Sequence, residues 1–195
     1  MRTQIVAVSL SAILCLAAYG RGQQNQPAHH KALTPEQQAY QQQLKLYSAH
    51  RQQLAAQAKQ ILDAEIAREK TDDCGVAGST YEIKVCYGKQ LDITEANLKS
   101  FEEIIHDLLA PAPQISGEPV IPPPGPEGPS LTAAQEQAEL DKVEQVWRQY
   151  RDAACGAAFH QYAGGSLSPI VEAECYLRLT RGHMRELRVI YGESF

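Results

Sequence analysis

The cysteines constrain this chain most. Five are present, at positions 15, 74, 86, 155 and 175, and what they can form depends on the redox compartment. The first twenty residues speak to that compartment. Met1 to Gln4 carries one positive charge, at Arg2, and Ile5 to Tyr19 is an uncharged run that stops at Gly20-Arg21-Gly22. A charged start, a short apolar run and small residues around a cleavage point are the layout of a secretory signal peptide. The run falls short of the roughly 20 apolar residues that span a membrane. Ala18 and Gly20 bracket Tyr19, which puts cleavage after Gly20, with Gly22 as the alternative. Cys15 follows Ala12-Ile13-Leu14 and lacks the small residue a lipid-anchor site wants directly before it. It therefore reads as part of the leader rather than an anchor. Cys74, Cys86, Cys155 and Cys175 remain, an even number that reads as two disulfides in a periplasmic or secreted chain.

Charge and composition narrow the function classes. The net charge is -5, and removal of Arg2 with the leader leaves 17 basic against 23 acidic residues, a net charge of -6. Nucleic-acid binding needs a basic face that releases counterions, so this balance argues against it and suits a basic protein partner. Aromatics make up 7% of the chain, too few for a large β-sandwich core. Residues 21–33 are polar and Gln-rich and read as a disordered tail. His29 and His30 lie there, but adjacent histidines on a regular helix cannot both face one ion, and a solvated tail is the better reading.

Helical seams organise the rest. Thr34-Pro35-Glu36-Gln37 is a capping box with proline at the first helical position, and nothing breaks the helix before Thr71. Its stripe of Tyr40, Leu44, Tyr47, Leu54, Ala58 and Ile61 is interrupted by Arg51, and the remainder is mostly Gln and Ala. This 34–71 helix is weakly amphipathic; it can pack on the main domain, dimerise or stand apart. A second helix, from about Thr80 to Leu109, carries Tyr87, Leu91, Thr94, Leu98, Phe101, Ile105 and Leu108 at alternating four- and three-residue steps. Pro111 to Pro129 then holds eight of the eleven prolines and three glycines. That density excludes a helix or a central strand and predicts a stiff connection, with polyproline II around 122–126. A connection across helix ends is a better reading for it than a docking site for a proline-binding module. Thr132 and Gln135 form a second capping box, and Leu140, Val143, Trp147, Tyr150, Ala154 and Ala157 continue the seam until Gly164-Gly165. Ser168-Pro169 restarts the chain as cap and first helical residue. Ile170, Ala173, Leu177, Thr180, Met184, Leu187 and Tyr191 form the last seam.

Three seams of similar length predict an all-α fold over 72–192, a three-helix antiparallel bundle preceded by the Gln-rich helix. In an up-down-up arrangement all four cysteines fall at one end. Cys155 lies nine residues before Gly164 and Cys175 seven after Ser168, at comparable heights for a rise of about 1.5 Å per residue. This favours Cys155–Cys175 and, by locality, Cys74–Cys86, while the two other pairings stay open. Each bond would contribute on the order of 3 kcal/mol. By heptad count the cysteines lie beside the seam, as a clip on the flank of the bundle would.

Asp73-Cys74, followed twelve residues later by Cys86, resembles the opening of the LprI-type lysozyme-inhibitor N-terminal domain. Trp147 with Tyr150-Arg151-Asp152-Ala153-Ala154-Cys155 resembles that family's W-x-x-Y/F-R-D-x-x-C signature. Gly165 to Pro169, Glu174-Cys175 and Leu179-Thr180-Arg181 resemble its closing stretch. The resemblance runs from about Asp72 to Tyr191 and leaves out the Gln-rich helix. The proline-rich connection is longer than the family pattern, and His183 and Met184 depart from the polar, arginine-bearing residues expected there. The resemblance implies an exported helical protein, with lysozyme inhibition as the activity attached to some members.

Lysozymes of the common basic type carry two carboxylates in their cleft, and an acidic inhibitor would be steered toward their surface. Asp72, Asp73, Asp152, Glu172 and Glu174 gather near the cysteine end, with Arg151, Arg178 and Arg181 as the cations able to meet the cleft. Candidate partner-binding residues are therefore Asp72, Arg151, Asp152, Glu172 and Arg178. For Arg151-Asp152 a structural ion pair bracing a neighbouring helix is the stronger reading, and for Trp147 a place in the core. No HExxH, G-x-S-x-G or phosphate-cradling loop appears, and cysteines paired in an oxidising space cannot serve as nucleophiles. No enzyme, cofactor or metal site is expected. Glu102-Glu103 read as a solvated face. Two functions follow: a binding protein that blocks a basic cell-wall-degrading enzyme such as lysozyme, or an envelope assembly module that homo-oligomerises through the Gln-rich helix.

Overall fold

In the computed structural model Thr34 closes the first helix as its capping box predicts. The Gln37 amide donates to Thr34 Oγ1 at 3.2 Å, and the Thr34 amide donates to Gln37 Oε1 at 3.0 Å. Two donors that the helix would leave orphaned are thereby satisfied. The structure describes residues 33–71, 74–76, 78–114, 124–125, 128–129 and 131–192. The predicted leader over 1–20, nearly all of the tail, Asp72, Asp73 and most of the proline-rich connection lie outside them. Thr34–Phe195 forms one compact unit.

Four α-helices are present among the described residues: α1 (Pro35–Lys70), α2 (Thr80–Leu108), α3 (Ala133–Gln161) and α4 (Ser168–Tyr191). Ser79 caps α2, and Thr132 caps α3 with Gln135 in a second reciprocal box. None is long and apolar enough to cross a membrane. A short 3-10 turn, Cys74–Val76, precedes α2. Within the proline-rich connection Pro124–Gly125 (β1) pairs antiparallel with Gly128–Pro129 (β2), where polyproline II was expected. Proline carbonyls still accept hydrogen bonds, so prolines are tolerated in so short and peripheral a ladder.

Cross-helix contacts fix the directions. Glu95 of α2 meets Thr180 of α4, while α3 presents Arg151 to Glu95 and, earlier in its sequence, Arg148 to Glu102. Hence α2 and α4 run the same way, with α3 opposed to both. The helix α4 packs on α2 and on α3, and α1 packs along α2 with a smaller contact to α4. The core follows: Leu54, Ala58 and Leu62 from α1; Leu98, Phe101, Ile105 and Leu108 from α2; Leu140 from α3; Met184 and Leu187 from α4. The α1 stripe is thus covered rather than exposed from Leu54 onward. Arg51, which looked like an interruption, has a packing role. Its guanidinium donates to the Leu108 carbonyl and to the Tyr47 hydroxyl, and that hydroxyl donates to the Ala110 carbonyl at 3.0 Å. Side chains of α1 therefore satisfy carbonyls that the end of α2 leaves open.

Two local expectations are corrected. The buried face of α3 is Leu140, Glu144, Arg151 and Cys155, not the apolar line through Tyr150 and Ala157. Tyr150 is 60% exposed and Ala157 is exposed too. Because α3 packs mainly on α4, its inward strip is narrow, and long charged side chains with partners opposite can fill it. The same rotation puts Cys155 in the buried face instead of beside it. Ser168 does not cap α4. Leu167 holds the cap position, and the Ser168 hydroxyl donates instead to the Tyr162 carbonyl, tying the hairpin loop together. That loop turns at Gly164, whose φ of 86° suits a residue without a Cβ.

Two disulfides clip the fold, Cys74–Cys86 and Cys155–Cys175, each with 5.5 Å between Cα atoms. The first ties the 3-10 turn to α2 and the second joins α3 to α4.

Candidate functional site

Three polar clusters cross the helix interfaces. The deepest is built on Glu65, only 2% exposed. Its carboxylate accepts from Thr94 Oγ1 at 2.6 Å, Asn97 Nδ2 at 2.8 Å, Arg181 Nε at 2.9 Å and Arg68 at 3.0 Å. Arg68 also grips Gln90. Burial alone would raise the Glu65 pKa. The bonds from Thr94, Asn97 and Arg181, with the charge of Arg68, outweigh it and hold Glu65 below its ordinary value. This cluster joins α1, α2 and α4 and positions them relative to one another.

The second cluster is Arg151, 9% exposed. It reaches Glu95 at 2.5 Å, Asp152 at 3.3 Å and Thr180 at 3.4 Å, and lies over the rings of Trp147 and Tyr176. Arg151 therefore braces α3 against α2 and α4, with cation–π contact to both rings.

The third cluster opens onto a groove. The His183 ring stacks on Trp147 at 4.0 Å and 7° between planes, and its Nε2 lies within hydrogen-bond distance of Glu144 Oε1, at 2.7 Å. Burial lowers the His183 pKa to about 4 despite the nearby Glu186 and Glu102 carboxylates. Arg148 reaches across from α3 to both oxygens of Glu102, at 2.6 and 2.7 Å. Burial and the neighbouring Glu144 push Glu102 up to about 8, and burial raises Glu144 as well. Between α2 and α3, above this pair, runs a cavity of about 560 Å³ walled by Glu102, Glu103, Asp107, Asp141 and Glu144, with Leu140 at its base.

The predicted partner residues separate. Arg151 is committed internally, and Asp72 lies outside the described residues. Asp152 is exposed and Glu172 half-buried, and both press on Tyr176, whose pKa burial and these two acids raise. Arg178 lies on another side of α4, in a shallow hollow with Tyr150, Glu174 and the Cys155–Cys175 bond. Among the residues matching the resemblance, Trp147, Arg151, Thr180 and Arg181 all serve interhelical packing.

Sequence reasoning missed Glu65, Glu144 and Glu102 as inward groups, and Glu102 in particular is not a solvated face: its side chain is 16% exposed. Spacing held the signal. Glu65 follows Leu62 by three, Glu102 follows Leu98 by four, and Glu144 follows Leu140 by four, all seam steps. No group of three or more metal-ligating side chains converges among the described residues. The arrangement ties the helices together and leaves acidic side chains along one groove.

Comparison with known proteins fits the helical, disulfide-clipped core. A protein of Rhizobium meliloti (strain 1021), named only as uncharacterized, is 26% identical over 125 residues, covering 63% of this chain and 81% of the relative. No solved structure gives a significant match. The family described as "Lysozyme inhibitor LprI" matches residues 71–187, a span that takes in both disulfides, the Arg151 brace and the acidic groove. The chain belongs to the LprI lysozyme-inhibitor family.

Proposed function

We propose that this chain is exported to the periplasm or beyond and blocks a basic cell-wall-degrading enzyme such as lysozyme by binding it, with no catalysis of its own. The family match over 71–187 carries the reading. The net charge of -5 supports it, since an acidic surface steers toward a basic partner and speeds encounter. On this reading residues 1–20 are a leader removed on export, and two disulfides suit the oxidising space beyond it. The exposed Asp152 and Arg178, with half-buried Glu172, are rim contacts, and Arg151 acts indirectly by holding α3 in place. The helix α1 belongs to the functional unit, because Glu65 and Leu62 complete the core under the matched region.

The test is a lysis assay. Purified mature protein added to lysozyme and cell walls should slow clearing in proportion to its molar ratio, and reduction of the disulfides should weaken the effect. Unchanged clearing at a large molar excess over several lysozyme types would refute the proposal.

A further inference from the structure

We infer that the groove between α2 and α3 is a receptor for a lysine or arginine side chain of the basic partner protein, seated between the Glu102–Glu144 pair and the outer acids Glu103, Asp107 and Asp141. The inference rests on the binding role proposed above and names the surface that performs it.

Shape comes first. The helix α4 packs on both α2 and α3, and side chains of these two flanking helices wall the 560 Å³ cavity. That volume admits a long side chain. The cavity's charge is lopsided, with five carboxyl groups against the single guanidinium of Arg148 and the His106 ring.

A second observation points to a ligand. Glu144 is 8% exposed, and its Oε2 is buried without a hydrogen-bond partner while the side chain lines the groove. Its other oxygen is taken by His183. A buried carboxylate oxygen left without a donor carries a desolvation cost that an incoming N–H relieves. The pair faces Arg148 from α3, and His183 with Glu186 beyond it from α4; α2 adds His106 at the groove wall. An ammonium or guanidinium in the groove would supply the donor that Glu144 Oε2 lacks. Arg148 already shows what the site accepts, since its guanidinium bonds both oxygens of Glu102 while its side chain stays 41% exposed. Both bonds come from one guanidinium nitrogen, Nη2, as charge-assisted hydrogen bonds.

Two probes test the inference on the full mature chain: a basic lysozyme, and an end-blocked trilysine peptide, each titrated at pH 7.5 and low salt. Asp107→Asn/Asp141→Asn, both exposed and outside the core, should weaken lysozyme binding by about tenfold or more; Glu144→Gln should do so more strongly. Asp63→Asn, exposed on α1 and outside the groove lining, should leave the trilysine affinity unchanged. Trilysine should bind weakly, with NMR shifts at the groove residues. If lysozyme binds the groove variants as tightly as the native chain, the groove assignment falls while the inhibitory role stands. If trilysine shifts the groove and lysozyme does not bind at all, the groove stands and the inhibitory role fails. If neither probe binds, both are overturned.

Discussion

Replacing Glu65 by leucine removes the one carboxylate that four donors from three helices converge on. Arg181, 4% exposed, would lose the carboxylate its Nε bonds, and Thr94, fully buried, would lose its acceptor. Breaking a buried pair by removing one member costs about 3–5 kcal/mol. Arg68 tempers this, because its side chain is 23% exposed and can turn to water and to Gln90. Glu65→Leu should therefore lose about 3–4 kcal/mol in urea unfolding at pH 7 with the disulfides intact. For a domain of this size that is a drop in Tm of roughly 6–16 °C. The double variant Glu65→Leu/Arg181→Met should lose less than the two single losses added together, since an apolar pair replaces a charged one. Glu65 is held below its ordinary value of 4.5. Its contribution is present above that pH and is lost as pH falls through the folded-state value, so the gap between native and variant should narrow in acid. A loss under about 1 kcal/mol, or strict additivity in the double variant, would refute the reading of this cluster as the tie between α1 and the other helices.

Three further outcomes follow from the same structure. Glu102 ionises at about 8 in the fold against 4.5 ordinarily, so native stability falls as pH rises across that window. Glu102→Gln should gain on the native chain between pH 6 and pH 9 by on the order of 1–3 kcal/mol, read from paired thermal melts; a difference that ignores pH would contradict it. His183 is held down at about 4, so its contribution is lost as pH falls below the ordinary 6.5 toward that value. The fluorescence of Trp147, the single tryptophan, should titrate with a midpoint near 4, and a midpoint near 6.5 would show the stacked ring exposed to water. Replacing Cys155 and Cys175 by alanine opens a loop with sequence separation 20 and should cost about 3 kcal/mol in denaturant unfolding; an unchanged midpoint would mean the clip adds nothing.

Much of the fold is legible in the sequence because it rests on local chemistry. The capping boxes at Thr34 and Thr132 fix two helix starts through side-chain oxygens three residues from their donors. The seams of α2 and α4 follow the heptad spacing because each is flanked by packing partners along its length. The α3 seam is not legible in the same way. Its inward strip is chosen by partners on other helices, so Glu144 and Arg151 go inside while Tyr150 turns out. The hydroxyl of Ser168 similarly found a carbonyl six residues back instead of the helix start. The acidic groove was hidden for a related reason. Glu102 and Glu144 stand 42 apart in sequence, and the packing of α2 and α3 on α4 brings them to one groove. Spacing within one helix marks a carboxylate as inward but cannot name what it meets.

The central claim is that this acidic, disulfide-clipped chain binds a basic lysozyme. It is tested most directly by calorimetric titration of lysozyme into the mature protein at low and at physiological salt. The account predicts saturable one-to-one binding that weakens as salt rises. The absence of saturable binding at low salt, where the charge attraction is greatest, would contradict it.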